Sequence, residues 1–64
     1  MKVNGKTIAL ERERTLSAFL TDERYDSRTI AVERNGAIVP RADYENILLA
    51  EEDTLEIVRF VGGG

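Results

Sequence analysis

Hydrophobic positions along this chain switch between two periods. Near the start, Ile8 and Leu10 alternate with polar or small neighbours in "KTIAL", which follows a short "KV" and the pair Asn4-Gly5. Both residues of an Asn-Gly pair tolerate positive φ, so the pattern predicts two strands joined by a tight hairpin turn. From Leu16 the period lengthens. Leu16, Phe19 and Leu20 fall at i, i+3 and i+4, with Ser17, Thr21 and Asp22 on the other side. That spacing predicts a helix of two to three turns with Thr15 as its N-cap, ended by the polar run "DERYDSR" with Tyr25 packed over its end. Between hairpin and helix, "ERER" (Glu11 to Arg14) reads as a solvated connection of alternating charge.

Period two returns at "TIAVER", where Ile30 and Val32 share one face and Ala31 and Glu33 the other. Asn35-Gly36 predicts a second tight turn, and "AIV" a returning strand. Pro40 stops that strand because it has no N–H to donate. "RADYEN" fits one short helical turn with Tyr44 pointing inward. "ILLAEED" then leads into the last strand, "TLEIVRFV". Its acidic bend, Glu51-Glu52-Asp53, reads as solvated, because three consecutive carboxylates do not converge easily on a cation.

One helix must therefore cover one face of a mixed sheet. The first and last strands are expected side by side and parallel in its centre, with the helix and second hairpin supplying the crossover. This order predicts an α+β, β-grasp (ubiquitin-like) architecture of four to five strands in residues 1–61. Residues 62–64 would form a flexible glycine tail. Alternation divides the last strand, with Leu55 and Ile57 facing the helix and Glu56, Val58 and Phe60 facing away. Val58 and Phe60, with the adjoining Val61, are the candidate partner-binding residues.

Composition narrows the chemistry. A chain of 64 residues buries only about 60% of its unfolded surface, leaving no room for a catalytic pocket between domains. Cysteine and histidine are both absent, which removes disulfides, thiolate nucleophiles, imidazole bases and the commonest metal ligand. No apolar run approaches the roughly 20 residues that span a bilayer, and "MKVNGKTIAL" lacks a signal-peptide core. The expectation is a cytoplasmic protein, monomeric when free, with no membrane partner. Net charge is −3, with nine basic residues scattered among twelve acidic ones. Nucleic acid is not expected as a partner, and the mild acidity suits a protein with a basic docking surface.

The ending "VRFVGGG" is the candidate for chemistry. Glycine loses more backbone entropy on ordering than any other residue, and a strip without β-carbons can thread a narrow channel. From Val61 to Gly64 the chain reaches about 13 Å. Its α-carboxylate, with an ordinary pKa near 3.5, is ionised at neutral pH and can attack the α-phosphate of a nucleotide to form an acyl-adenylate. No phosphate-binding loop, nucleophile or metal cluster in the sequence could perform that activation. The reading is a protein substrate with no bound cofactor, not an enzyme.

Three stretches, "VNGK", "IAVERNGAIVPR" and "DTLEIVRFVGGG", resemble the ThiS family of thiamine-pathway sulfur carriers. The bend Glu52-Asp53 departs from the Gly-Asp often found there. The resemblance implies that an adenylating enzyme related to the ubiquitin-activating enzymes uses ATP and magnesium to activate the Gly64 carboxylate. Sulfur from a cysteine desulfurase persulfide then gives a thiocarboxylate, which serves thiazole synthase. It makes Gly63 and Gly64 the functional pair, Gly64 the atom-bearing residue and Gly62 a spacer. The small subunit of molybdopterin synthase has the same fold and terminus, but those chains are generally longer, and the compact length and "VERN" favour the thiamine carrier. A modifier joined through Gly64 to a lysine amine, and a plain β-grasp binding module with a disordered tail, are the other readings.

Overall fold

The computed structural model describes residues 1–60, so the expected tail residues Val61, Gly62, Gly63 and Gly64 lie outside the described residues. Strands β1 (Lys2–Val3) and β2 (Lys6–Thr7) are followed by helix α1 (Leu16–Asp22), the hairpin of β3 (Ile30–Arg34) and β4 (Ala37–Ile38), and β5 (Thr54–Arg59). Short 3-10 turns lie at Ser27–Thr29 and Arg41–Asp43. The sheet order is β2-β1-β5-β3-β4. β1 and β5 pair in parallel, and the other neighbours are antiparallel. This is the expected β-grasp arrangement, with the strand that leads to the terminus in the middle of the sheet. No helix among the described residues is long and apolar enough to cross a membrane.

Both Asn-Gly pairs make the hairpin turns. Asn4 and Gly5 have φ of 52° and 84°, and Asn35 and Gly36 have 52° and 88°, the two positive values that match the twist of a two-residue hairpin. Thr15 caps α1, its Oγ1 accepting from the Ala18 N–H at 3.0 Å. Seven residues are too few for a helix to persist alone, so packing holds it. Leu16, Phe19 and Leu20 are all buried, against Leu55 and Ile57 of β5 and Ile30 and Val32 of β3 in one core cluster. At the other end Arg24 takes φ 64°, the Tyr25 N–H donates to the Leu20 carbonyl and the Arg24 N–H to that of Thr21. That is a Schellman ending with arginine in the place usually held by glycine. Tyr44 is buried, as its position in "RADYEN" predicts.

Four details differ from the sequence reading. β2 stops at Thr7: after the Ile8 N–H bonds the Met1 carbonyl, Ile8 and Leu10 pack against the core from outside the sheet. β5 stops at Arg59, although the Phe60 N–H still donates to Thr29 at 2.9 Å. "ERER" is not wholly solvated, because the Arg14 guanidinium lies 5.1 Å over the Phe19 ring and bonds Asp22 at 2.7 Å. The acidic bend is not solvated throughout either. Glu51 and Glu52 are exposed, but Asp53 is only 4% exposed, because Arg34 and Asn35 reach across from β3 and its turn to meet it.

Candidate functional site

The strand that carries the terminus is held on both edges. On one edge the Asn4 side chain extends the short β1: the Ile57 N–H donates to Asn4 Oδ1 at 2.7 Å, and Asn4 Nδ2 donates to the Ile57 carbonyl at 3.3 Å. An amide side chain offers the same donor and acceptor as a peptide unit, so it continues the ladder where the backbone has turned away. On the other edge the Asn35 N–H bonds the Thr54 carbonyl at 2.8 Å, and Asn35 Oδ1 accepts from the Thr54 N–H at 2.9 Å.

Asp53 anchors the start of β5. Its carboxylate accepts from Arg34 Nε at 3.1 Å, Asn35 Nδ2 at 3.0 Å and the Ala50 N–H at 2.9 Å. Burial by itself pushes this carboxyl up, but hydrogen bonds from Asn35, Ala50 and Arg34 outweigh it and hold Asp53 below the usual carboxylate value. Nothing in "EED" alone signals this, because the partners lie 18 and 19 residues away.

At the far end, Arg59 lies on the helix side with its guanidinium 5.0 Å from the centre of the Tyr25 ring. Leu55 and Ile57 are buried beneath α1, whereas Val58 is 60% and Phe60 57% exposed on the open face. Cross-strand register sets Ala31 directly opposite Val58 and Ile38 directly opposite Glu33. Exposed Ile38 on β4 and Val58 and Phe60 along β5 thus flank the half-buried Ala31 of β3, toward the point where the chain leaves the sheet. Of the candidate site residues, Val58 and Phe60 are described on this face; Val61, Gly62, Gly63 and Gly64 lie beyond the described residues. Asn4, Asn35 and Asp53 escaped the sequence reading, which took the Asn-Gly pairs as turns and nothing more.

Among the described residues no group of three or more His, Cys, Asp or Glu side chains could hold a metal ion. What this arrangement offers is a firmly held strand with an apolar surface beside its end, and a sequence that continues into three glycines.

A model of the ThiS family matches residues 1–64. The sulfur carrier protein ThiS of Bacillus subtilis is 32% identical over 65 residues, which cover 100% of this chain and 98% of that protein. A thiazole synthase of Paramagnetospirillum magneticum is 42% identical over 62 residues, 97% of this chain. The chain spans only 19% of the length of that synthase. A crystal structure of thiamine biosynthesis protein ThiS from Geobacter metallireducens superposes with a TM-score of 0.78 and 24% identity, over 98% of this chain and 96% of that one. At that identity the likeness speaks for the fold alone.

Proposed function

From the premise that this chain belongs to the ThiS family, we propose that it is a sulfur carrier of thiamine biosynthesis whose working group is the C-terminal carboxylate of Gly64. In this reading residues 1–61 are the body and residues 62–64 the strip that enters partner active sites. A carboxylate oxygen attacks the α-phosphorus of ATP in an adenylating enzyme, with magnesium as that enzyme's ion, and pyrophosphate leaves. A persulfide sulfur supplied by a cysteine desulfurase attacks the activated carbonyl carbon, and AMP leaves. A thiol then reduces the resulting disulfide and frees the thiocarboxylate. The body contributes position rather than chemistry, with Val58, Phe60 and Val61 as the surface a partner grips.

The observation that carries the reading is the family match, which runs through the last glycine. The likeness of this chain to part of a thiazole synthase supports a synthase of that kind as the recipient of the sulfur. Deletion of Gly63 and Gly64 tests the division of labour. The truncated protein should melt within about 2 °C of the full chain, since core and ladder lie within residues 1–60, and should transfer no sulfur. A truncated chain that still transfers sulfur would overturn the assignment.

A further inference from the structure

Two ties hold β5 where it leaves the sheet. The first is the last rung of the β3–β5 ladder, which is only half made. The Phe60 N–H donates to the Thr29 carbonyl at 2.9 Å, but the Thr29 N–H turns back to the Asp26 carbonyl, also at 2.9 Å, and returns no bond to Phe60. Asp26 caps that 3-10 turn, its side chain accepting from the Arg28 N–H at 3.0 Å, and the Thr29 hydroxyl donates to the Asp26 carbonyl at 2.9 Å. The turn is thus pinned by its own bonds, and strand pairing ends at Phe60.

The second tie lies one residue earlier. Arg59 shares the helix side of β5 with Leu55 and Ile57, yet its side chain is exposed and its guanidinium sits 5.0 Å from the centre of the Tyr25 ring. Among the described residues Arg59 joins no salt bridge. Tyr25 is itself fixed, because its N–H bonds the Leu20 carbonyl at 2.9 Å and it packs, half-buried, against the core. A cation is drawn to the face of an aromatic ring and not to its edge, so the contact has a direction. The end of β5 is therefore tied to the turn before β3 and to the end of α1.

We infer that Arg59 and Tyr25 are a positioning pair: their stack sets the direction in which the chain leaves the sheet, and so aims the Gly64 carboxylate at the nucleotide in an adenylating enzyme. The inference rests on the carrier reading above. Glycines have no side chain with which to orient themselves, so the aim comes from the last residues with fixed neighbours, Arg59 and Phe60. Attack on phosphorus needs the carboxylate oxygen about 3–3.5 Å away and aligned, and a misplacement of about 1 Å is costly. Residues 61–64 reach about 13 Å, so a swing of roughly 20° at Phe60 displaces the tip of an extended strip by about 4.5 Å.

The test follows ATP–pyrophosphate exchange by the source organism's adenylating enzyme, with the full chain and its Tyr25→Leu, Tyr25→Phe and Arg59→Gln variants as substrates. Melting temperatures and the nitrogen-15 relaxation of the Phe60 amide are recorded alongside. Tyr25→Leu and Arg59→Gln should each lower kcat about fivefold with KM within a factor of about two, and the Phe60 amide should gain fast motion. Tyr25→Phe keeps the ring and should match the parent in all three measurements. Arg59 is exposed, so Arg59→Gln keeps the test open should Tyr25→Leu melt below the assay temperature. An unchanged kcat in Arg59→Gln would overturn the inference and leave the carrier reading intact. A raised KM with unchanged kcat, confined to Arg59→Gln, would make Arg59 a contact of the enzyme and overturn it as well. Tyr25→Phe as slow as Tyr25→Leu would assign the effect to the hydroxyl and contradict the stack. A parent chain that supports no exchange would remove the carrier reading, and this inference with it.

Discussion

Asn4 and Asn35 grip the last strand from opposite edges, each from the first position of a tight turn. The Asn4 side-chain amide brackets Ile57 beside β1, and Asn35 brackets Thr54 beside β3 with its backbone N–H as donor and its Oδ1 as acceptor. Each asparagine also sits at φ 52°, where alanine is strained. Asn4→Ala should cost about 2 kcal/mol, half from the lost hydrogen bonds and half from the backbone. Asn4→Gly should cost about 1 kcal/mol, because glycine removes the strain but not the loss. Denaturant unfolding of the two variants checks the split; equal losses would mean that the bracket carries no backbone component.

Asp53 makes stability depend on acid. Its folded pKa lies below the unfolded value, near 3.9, so its contribution is complete above about pH 4 and is lost as pH falls through the lower folded value. Asp53→Asn should lose about 2 kcal/mol at neutral pH and show a flatter stability profile below pH 4. Asp26 is also held low, by its side-chain hydrogen bonds with Arg28, but it is exposed. Asp26→Asn should leave the acid limb close to that of the parent, which denaturant melts between pH 2 and 7 would show.

Arg24 holds a left-handed conformation at the helix end that an L side chain adopts at a cost. Arg24→Gly should stabilise the protein by about 0.5–1 kcal/mol, raising the melting temperature by roughly 3–6 °C. A lower melting temperature would show that the arginine side chain contributes more than its backbone strain costs.

The two faces of β5 should separate cleanly on mutation. Ile57→Ala should cost about 2–4 kcal/mol, because it opens a cavity beneath α1. Phe60→Asp should leave the melting temperature nearly unchanged and weaken binding to the adenylating enzyme. Unfolding of Phe60→Asp in circular dichroism would place that ring in the core.

These faces were legible in the sequence because one helix can cover only one side of a sheet, and period two then assigns every residue of "LEIVRF". The turns were legible because Asn-Gly states its own backbone geometry. The side chains of Asn4 and Asn35 were not, since their acceptors and donors belong to a strand that only the folded topology brings near. Asp53 read as solvent-facing for the same reason, its partners lying in the preceding hairpin. Arg24 gave no local sign of a left-handed ending, which glycine or asparagine would have given. The meeting of Arg59 with Tyr25 needs the end of β5 to lie beside the end of α1, which alternation within each strand does not supply. For the surface beside the strand's end, the sequence assigned the outward residues of β5, but not the brackets that hold the strand.

Intact-mass spectrometry of the full chain, incubated with ATP, magnesium, a cysteine desulfurase system, cysteine and the adenylating enzyme, measures the central claim most directly. The account predicts exchange of one oxygen for one sulfur, localised by fragmentation to Gly64 and absent without ATP. An unchanged mass, or a covalent bond from Gly64 to another protein with no thiocarboxylate formed, would contradict it.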